Sequence, residues 1–124
     1  MTDQTVLVIE DNDQNMYMTT FLLEKAGMKV VQARNGQEGL ELASTVDPDL
    51  ILLDIQLPIM DGYEVARRLK AQERTAGIPV VAVTSYAMAG DRETVLRAGC
   101  EGYIEKPIDP ETFVAQVSRF FPDR

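Results

Sequence analysis

Residues 49–54 read DLILLD, a run of four apolar side chains enclosed by two aspartates. A strand with one face in water alternates between apolar and polar residues, whereas these four are consecutive. Consecutive apolar residues are expected where helices cover both faces of a sheet, and such sheets consist of parallel strands. The stretch therefore predicts a central strand of a parallel sheet, with Asp54 at its carboxyl end.

Further apolar runs lie on either side of this strand along the chain, separated by segments with helical periodicity. They are VLVIE (6–10), MKVVQA (28–33), PVVAVT (79–84) and GYIEK (102–106). Strands that alternate with helices predict a doubly wound α/β fold with right-handed crossovers. We expect five parallel strands in a single domain over residues 1–124, with no further output domain.

Capping residues indicate where the helices begin and end. Asn35 precedes Glu38 by three residues as a capping pair, Asp109 and Pro110 begin the last helix, and Pro122 ends it. The first helix is expected over 13–26, where Met18, Leu22 and Ala26 recur every four residues. Inward-facing residues are expected at Leu40, Ala43, Val65, Ala66, Leu69, Val95, Ala98, Phe113, Val117 and Phe120.

The composition indicates a globular protein, since 45% of the 124 residues are hydrophobic and 26% are charged. No apolar run reaches the roughly 20 residues of a membrane span, and the amino terminus lacks the basic region of a signal peptide. A cytoplasmic location without membrane contact is therefore expected. The formal charge of −8 disfavours direct binding of nucleic acid. Arg67, Arg68 and Lys70 are interpreted as a solvated helix face.

The chain has no histidine and one cysteine. The absence of histidine excludes catalytic triads that use it, histidine-ligated metals and a role as a phosphohistidine carrier. Cys100 cannot form an internal disulfide, and its setting favours a small buried side chain over a reactive thiol.

Residues with reactive side chains follow the predicted strands. Glu10 and Asp11 end the first strand, Asp54 the third and Thr84 the fourth, and Lys106 follows the fifth. The carboxyl ends of parallel strands meet at one edge of a sheet, so these side chains are expected to converge. Each also has an ordinary structural interpretation, as a helix cap, strand end or loop charge. Their joint placement favours function.

Three neighbouring carboxylates repel one another unless a cation compensates. Mg²⁺ prefers carboxylate, water and phosphate oxygens, which Glu10, Asp11, Asp54 and an incoming phosphoryl group would supply. Calcium is less favoured, because no loop of closely spaced ligands is present. Asp54 at the centre of the group could attack phosphorus to form an acyl phosphate. Lys106 would then neutralise one phosphoryl oxygen and the Thr84 hydroxyl would bond another.

At these positions the chain resembles the response-regulator receiver family. The family pattern is an acidic pair after the first strand, an Asp ending the third, a Thr or Ser ending the fourth and Lys-Pro after the fifth. Here those segments read VLVIEDN (6–12), LILLDIQLPIMDGYEV (50–65), VVAVTSYAM (80–88) and YIEKPI (103–108). The resemblance implies the flavodoxin-like (βα)5 fold with strand order 2-1-3-4-5. The segment EDNDQNM is similar to DivK-like stand-alone regulators and to receivers of hybrid histidine kinases.

The resemblance also implies roles for individual residues. Asp54 would be the phosphorylation site; Glu10, Asp11, Asp54 and the Gln56 carbonyl would bind Mg²⁺; and Thr84 and Tyr103 would be the switch residues. Gln56 and Tyr86 would flank the phosphate and lengthen its lifetime. The donor would be a histidine kinase or a histidine phosphotransfer protein. A downstream protein would bind the face of helix 4, strand 5 and helix 5. The chain would assist its own phosphorylation and dephosphorylation without being a turnover enzyme.

Three alternatives share parts of this pattern. A flavodoxin-like electron carrier needs a phosphate-cradling loop after the first strand, where this chain has carboxylates. A phosphatase with an aspartyl intermediate would use Asp54 and Lys106, but carries a second Asp as general acid where this chain has Gln56. A degenerate receiver that only scaffolds other proteins is disfavoured by the complete residue set.

Overall fold

The computed structural model describes residues 4–85 and 89–121. In that part of the chain, strands and helices alternate throughout. They are β1 (Thr5–Ile9), α1 (Asp13–Lys25), β2 (Lys29–Ala33), α2 (Gly36–Val46), β3 (Leu50–Asp54), α3 (Gly62–Ala71), β4 (Val80–Thr84), α4 (Ala89–Arg97), β5 (Gly102–Glu105) and α5 (Phe113–Ser118). None of these helices is long and apolar enough to cross a membrane.

The strands form one parallel sheet in the order β2-β1-β3-β4-β5, which confirms the predicted topology. Asp54 is paired with Val83 and Thr84 with Glu105, so β3, β4 and β5 end at nearly the same level. β2 is added on one side of β1, whereas β3 and the later strands are added on the other side. The loops after β1 and β3 therefore border one crevice.

Helices cover both faces of the sheet. One core cluster packs β-strand residues against α1 and α5, through Met16, Leu23, Phe113 and Val117. The other packs them against α2, α3 and α4, through Ala43, Val65, Leu69, Val95 and Ala98. All residues of the run 50–53 are at most 1% exposed, which confirms that consecutive apolar residues mark a strand covered on both sides.

The inward face of α1 differs from the spacing seen in the sequence. Met16, Thr19 and Leu23 are buried, whereas Met18 is 41% exposed. The stripe of α1 that faces the sheet includes a polar residue, Thr19. The apolar residues 18, 22 and 26 therefore mark a neighbouring stripe of the helix and not the buried one. The helix is N-capped by Asn12, whose side chain accepts from the Asn15 N–H at 2.9 Å.

The boundaries of α5 also differ from expectation. Asp109 accepts from the Glu111 N–H through its side chain, at 3.0 Å, and from the Phe113 N–H through its carbonyl, at 2.9 Å. These bonds form a turn, so the helix begins at Phe113 rather than at Pro110. It ends at Ser118, ahead of Pro122, which lies outside the described residues.

The second helix begins as predicted, because the Asn35 side chain accepts from the Glu38 N–H at 2.8 Å. Cys100 is buried, and burial, followed by the neighbouring Glu101 carboxylate, raises the pKa of its thiol to about 12. The structure therefore confirms the interpretation of Cys100 as a packed side chain, since a thiol with so high a pKa is almost wholly protonated at neutral pH.

Lys70 is not part of a solvated helix face, in contrast to Arg67 and Arg68. Its ammonium donates to the Ile78 carbonyl at 2.8 Å, the Ala76 carbonyl at 3.2 Å and the Glu101 carboxylate at 2.9 Å. Only 18% of its side chain is exposed. A lysine near a helix end was expected to reach solvent, but these acceptors hold it against the amino ends of β4 and β5.

The substitution Lys70→Met is expected to lower the free energy of unfolding by about 1–3 kcal/mol, because two carbonyls and a carboxylate lose their donor. Lys29→Met, at an exposed position, is the control for the loss of one positive charge. Urea denaturation of both variants measures the effect. Equal stability of the two variants would contradict the structural role of Lys70.

Candidate functional site

Three carboxylates meet in the crevice at the carboxyl edge of the sheet. Glu10 and Asp11 follow β1 and Asp54 ends β3, and one oxygen of each lies within 4.8 Å of the others. Glu10 and Asp54 are only 4% and 3% exposed, whereas Asp11 is exposed. The predicted convergence of these side chains is therefore present, with one carboxylate open to solvent and two beneath it.

Lys106 reaches this group from the loop after β5. Its Nζ lies 3.3 Å from Asp54 Oδ1 and 3.4 Å from Glu10 Oε1. The backbone sets its position, since the Lys106 N–H donates to the Thr84 carbonyl at 2.9 Å. One ammonium among three carboxylates leaves the crevice with an excess of negative charge.

Backbone N–H groups also contact the carboxylates, and sequence reasoning missed them. The Gln56 N–H donates to Asp54 Oδ1 at 3.0 Å, and the Asn12 N–H donates to Glu10 Oε2 at 3.2 Å. Every residue other than proline carries such a donor, so residue identity offers no signal for it. The only available sign was that both donors lie two residues after a strand-end carboxylate, a common turn arrangement.

The buried carboxylates strongly influence one another. Burial, the negative charge of Asp54 and a hydrogen bond between the two side chains raise the pKa of Glu10 to about 7. Lys106 and the Asn12 N–H oppose this shift of the pKa. Glu10 is therefore partly protonated near neutral pH when no other cation is present.

The donor set fits Mg²⁺. All the candidate ligand atoms are oxygens, two from buried carboxylates and one from an exposed one, and Mg²⁺ favours such a set together with retained water. A dication would also supply the positive charge that Lys106 alone does not provide.

Thr84 and Gln56 border the crevice on the side of β4. Thr84 ends β4 and is 1% exposed. Gln56 is exposed, and its side-chain oxygen accepts from the Ser85 N–H at 3.5 Å, which links the loops after β3 and β4. Tyr86, predicted to flank the phosphate, lies outside the described residues.

The loop after β3 follows a tight path back to α3. The Met60 N–H donates to the Pro58 carbonyl at 2.7 Å, around Ile59 with φ 68°. A Cβ on Gly62 would lie 2.5 Å from the Ile55 Cα, so only glycine allows the chain to return this closely. This closure holds the start of the loop, and with it the Gln56 backbone, beside Asp54.

Tyr103 lies in β5, half-buried against the core cluster under α2, α3 and α4. The Arg92 guanidinium of α4 lies over its ring, with Cζ 5.2 Å from the ring centroid. Sequence reasoning identified Tyr103 but not Arg92, because no local pattern relates a helix surface arginine to a ring in the following strand.

Comparison with known proteins gives a consistent result. The family model described as response regulator receiver domain matches residues 6–118. The polar-differentiation response regulator DivK of Brucella anthropi is 43% identical over 120 residues, which cover 97% of this chain and 98% of that protein.

Solved structures agree with this match. The Vibrio cholerae chemotaxis protein CheY4 superposes with a TM-score of 0.91 at 26% identity, over 97% of this chain and all of that one. The receiver domain of sensor histidine kinase PA1611 from Pseudomonas aeruginosa, with magnesium coordinated in its active-site cleft, gives 0.87 at 33% identity. That match covers 96% of this chain and 98% of that one. Fold, crevice and sequence together show that the chain belongs to the response regulator receiver domain family of two-component signalling.

Proposed function

We propose that Asp54 is the phosphoacceptor of this receiver domain and that a phosphohistidine of a kinase or phosphotransfer protein is its donor. The observation that carries the proposal is the position of Asp54. It is buried at the centre of the crevice, within 3.3 Å of the Lys106 ammonium and 3.0 Å of the Gln56 N–H. Such donors stabilise the negative charge that develops when a phosphoryl group is transferred.

In the transfer, an Asp54 carboxylate oxygen attacks phosphorus as the phosphorus–nitrogen bond of the donor breaks. The bonding electrons return to the imidazole nitrogen, which takes a proton from solvent, and an aspartyl phosphate remains. Lys106 neutralises a phosphoryl oxygen, and the buried Thr84 hydroxyl supplies a hydrogen bond to another. Gln56 lacks the acid group that a turnover phosphatase needs, so the product persists as a signal.

Mg²⁺ completes the site in this proposal. Glu10, Asp11, Asp54 and the backbone carbonyl of Gln56 are the groups that would hold it. When bound, the ion neutralises negative charge on the transferring phosphoryl oxygens. The residues themselves contribute the anionic crevice that attracts the ion and the buried walls that limit water access.

The phosphorylated state is proposed to be read on the surface formed by α4, β5 and α5. Thr84 moves toward the phosphoryl group and Tyr103 fills the space that it leaves, which shifts the population between two packings.

Gln56 and Tyr86 lengthen the lifetime of the acyl phosphate. The domain acts by protein binding and not as a turnover enzyme. A cytoplasmic location stays a prediction.

The direct test is incubation with phosphoramidate, a small phosphorus–nitrogen donor, followed by intact mass measurement. With Mg²⁺ we expect one phosphoryl group per chain, and none when a chelator has removed the metal. Hydroxylamine should release the group, because it cleaves acyl phosphates. Labelling that resists hydroxylamine, or that persists in chelator, would contradict the proposal.

A further inference from the structure

Arg92 covers the outer side of the Tyr103 ring. The 5.2 Å separation of the guanidinium carbon and the ring centroid lies within the range of a cation–π contact. Arg92 itself is exposed, whereas Tyr103 is half-buried against the core. The ring therefore lies between the core cluster and an exposed, charged side chain on the surface of α4.

The strand register places this ring close to Thr84. Tyr103 is paired with Ala82, and Thr84 with Glu105. Because side chains two residues apart on a strand share a face, Tyr103 and Thr84 are diagonal neighbours on the same side of the sheet. Diagonal neighbours are within reach of an aromatic side chain. The small Ala82 directly opposite adds little bulk between them.

We propose that Arg92 holds Tyr103 in the unphosphorylated position and thereby sets how readily the domain switches. This inference rests on the proposed function, in which Tyr103 moves toward the space left by Thr84. A ring that moves away from α4 loses its contact with the guanidinium, so Arg92 stabilises the state before transfer. Arg92 is a positioning residue that acts through Tyr103.

The size of the effect follows from the contact. A cation–π contact at an exposed site corresponds to a shift of roughly two- to fivefold in an equilibrium constant. By linkage, a ligand that binds the switched state should bind more tightly by the same factor once Arg92 is removed.

The contact can be tested with protein that carries 3-fluorotyrosine at its four tyrosines. The substitution Tyr103→Phe assigns the fluorine resonance of Tyr103. In Arg92→Met this resonance should move toward its position in wild-type protein bound to Mg²⁺ and beryllofluoride, an anion that mimics a phosphoryl group. Arg97→Met is the matched control, since it removes the same charge from an exposed site on the same helix and has no ring partner among the described residues.

Beryllofluoride titration completes the experiment. Arg92→Met should bind roughly two- to fivefold more tightly than wild type, with Arg92→Lys between them and Arg97→Met unchanged. If the affinities are equal and the Tyr103 resonance does not move, the inference about Arg92 is wrong, whereas the proposed function stands. Tighter binding by Arg97→Met to the same degree would overturn it too, because a general charge effect would then suffice. Failure of every protein, wild type included, to bind beryllofluoride would refute the proposed function and this inference with it.

Discussion

Asp54→Asn protein is expected to take up no phosphoryl group under conditions in which wild type takes one. The substitution keeps the shape of the side chain but replaces the attacking carboxylate by an amide, which is a poor nucleophile toward phosphorus. The Gln56 N–H can still bond the remaining carbonyl oxygen, so the crevice keeps its packing. Intact mass measurement after incubation with phosphoramidate and Mg²⁺ gives the extent of labelling.

Asp61→Asn is the matched control for this experiment. Asp61 lies in the same loop and caps α3, where its side chain accepts from the Glu64 N–H at 3.0 Å. Asparagine caps helices as well as aspartate does, so this variant should fold and label like wild type. Labelling of Asp54→Asn to the wild-type extent would mean that another residue carries the phosphoryl group.

Glu10→Gln is expected to stabilise the metal-free protein while weakening its affinity for Mg²⁺ by at least about tenfold. Glu10 is buried beside Asp54, and its ionised form is disfavoured there, as the rise of its pKa from 4.5 to about 7 indicates. A neutral amide removes this repulsion. Metal binding and stability are therefore expected to favour opposite residues at this position, as is common where function requires a destabilised site.

The sign of the pH dependence follows from the same shift. The folded state holds the Glu10 proton more tightly than the unfolded state, so the stability from this group falls as pH rises from about 4.5 to 7. The advantage of Glu10→Gln in the free energy of unfolding should therefore be small below pH 4.5. It should reach about 1–3 kcal/mol above pH 7.

Thermal unfolding with and without Mg²⁺ measures both effects. The ion should raise the melting temperature of wild type more than that of Glu10→Gln, because an ion stabilises the folded protein more when it binds more tightly. Glu73→Gln, at an exposed position, controls for the loss of one negative charge. An unchanged or lower melting temperature of metal-free Glu10→Gln at pH 8 would contradict the repulsion between the carboxylates.

Local patterns in the amino-acid sequence were enough to predict the parallel sheet and the residues at its carboxyl edge. Consecutive apolar runs such as 50–53 require cover on both faces, and this implies parallel strands whose ends converge. The placement of Glu10, Asp54 and Lys106 in one crevice followed from that rule alone. It needed only the positions of strand ends along the chain, which local patterns define well.

Contacts between residues that are distant in sequence could not be predicted, because they form only when the chain packs. Thr19 is buried in α1 because of where the helix lies on the sheet, and Lys70 is held by carbonyls and a carboxylate of other segments. The backbone N–H that reaches Asp54 and the guanidinium over Tyr103 belong to the same class. Periodicity reports which side chains are apolar, whereas hydrogen bonds and charge contacts depend on distances that exist only after the chain has packed.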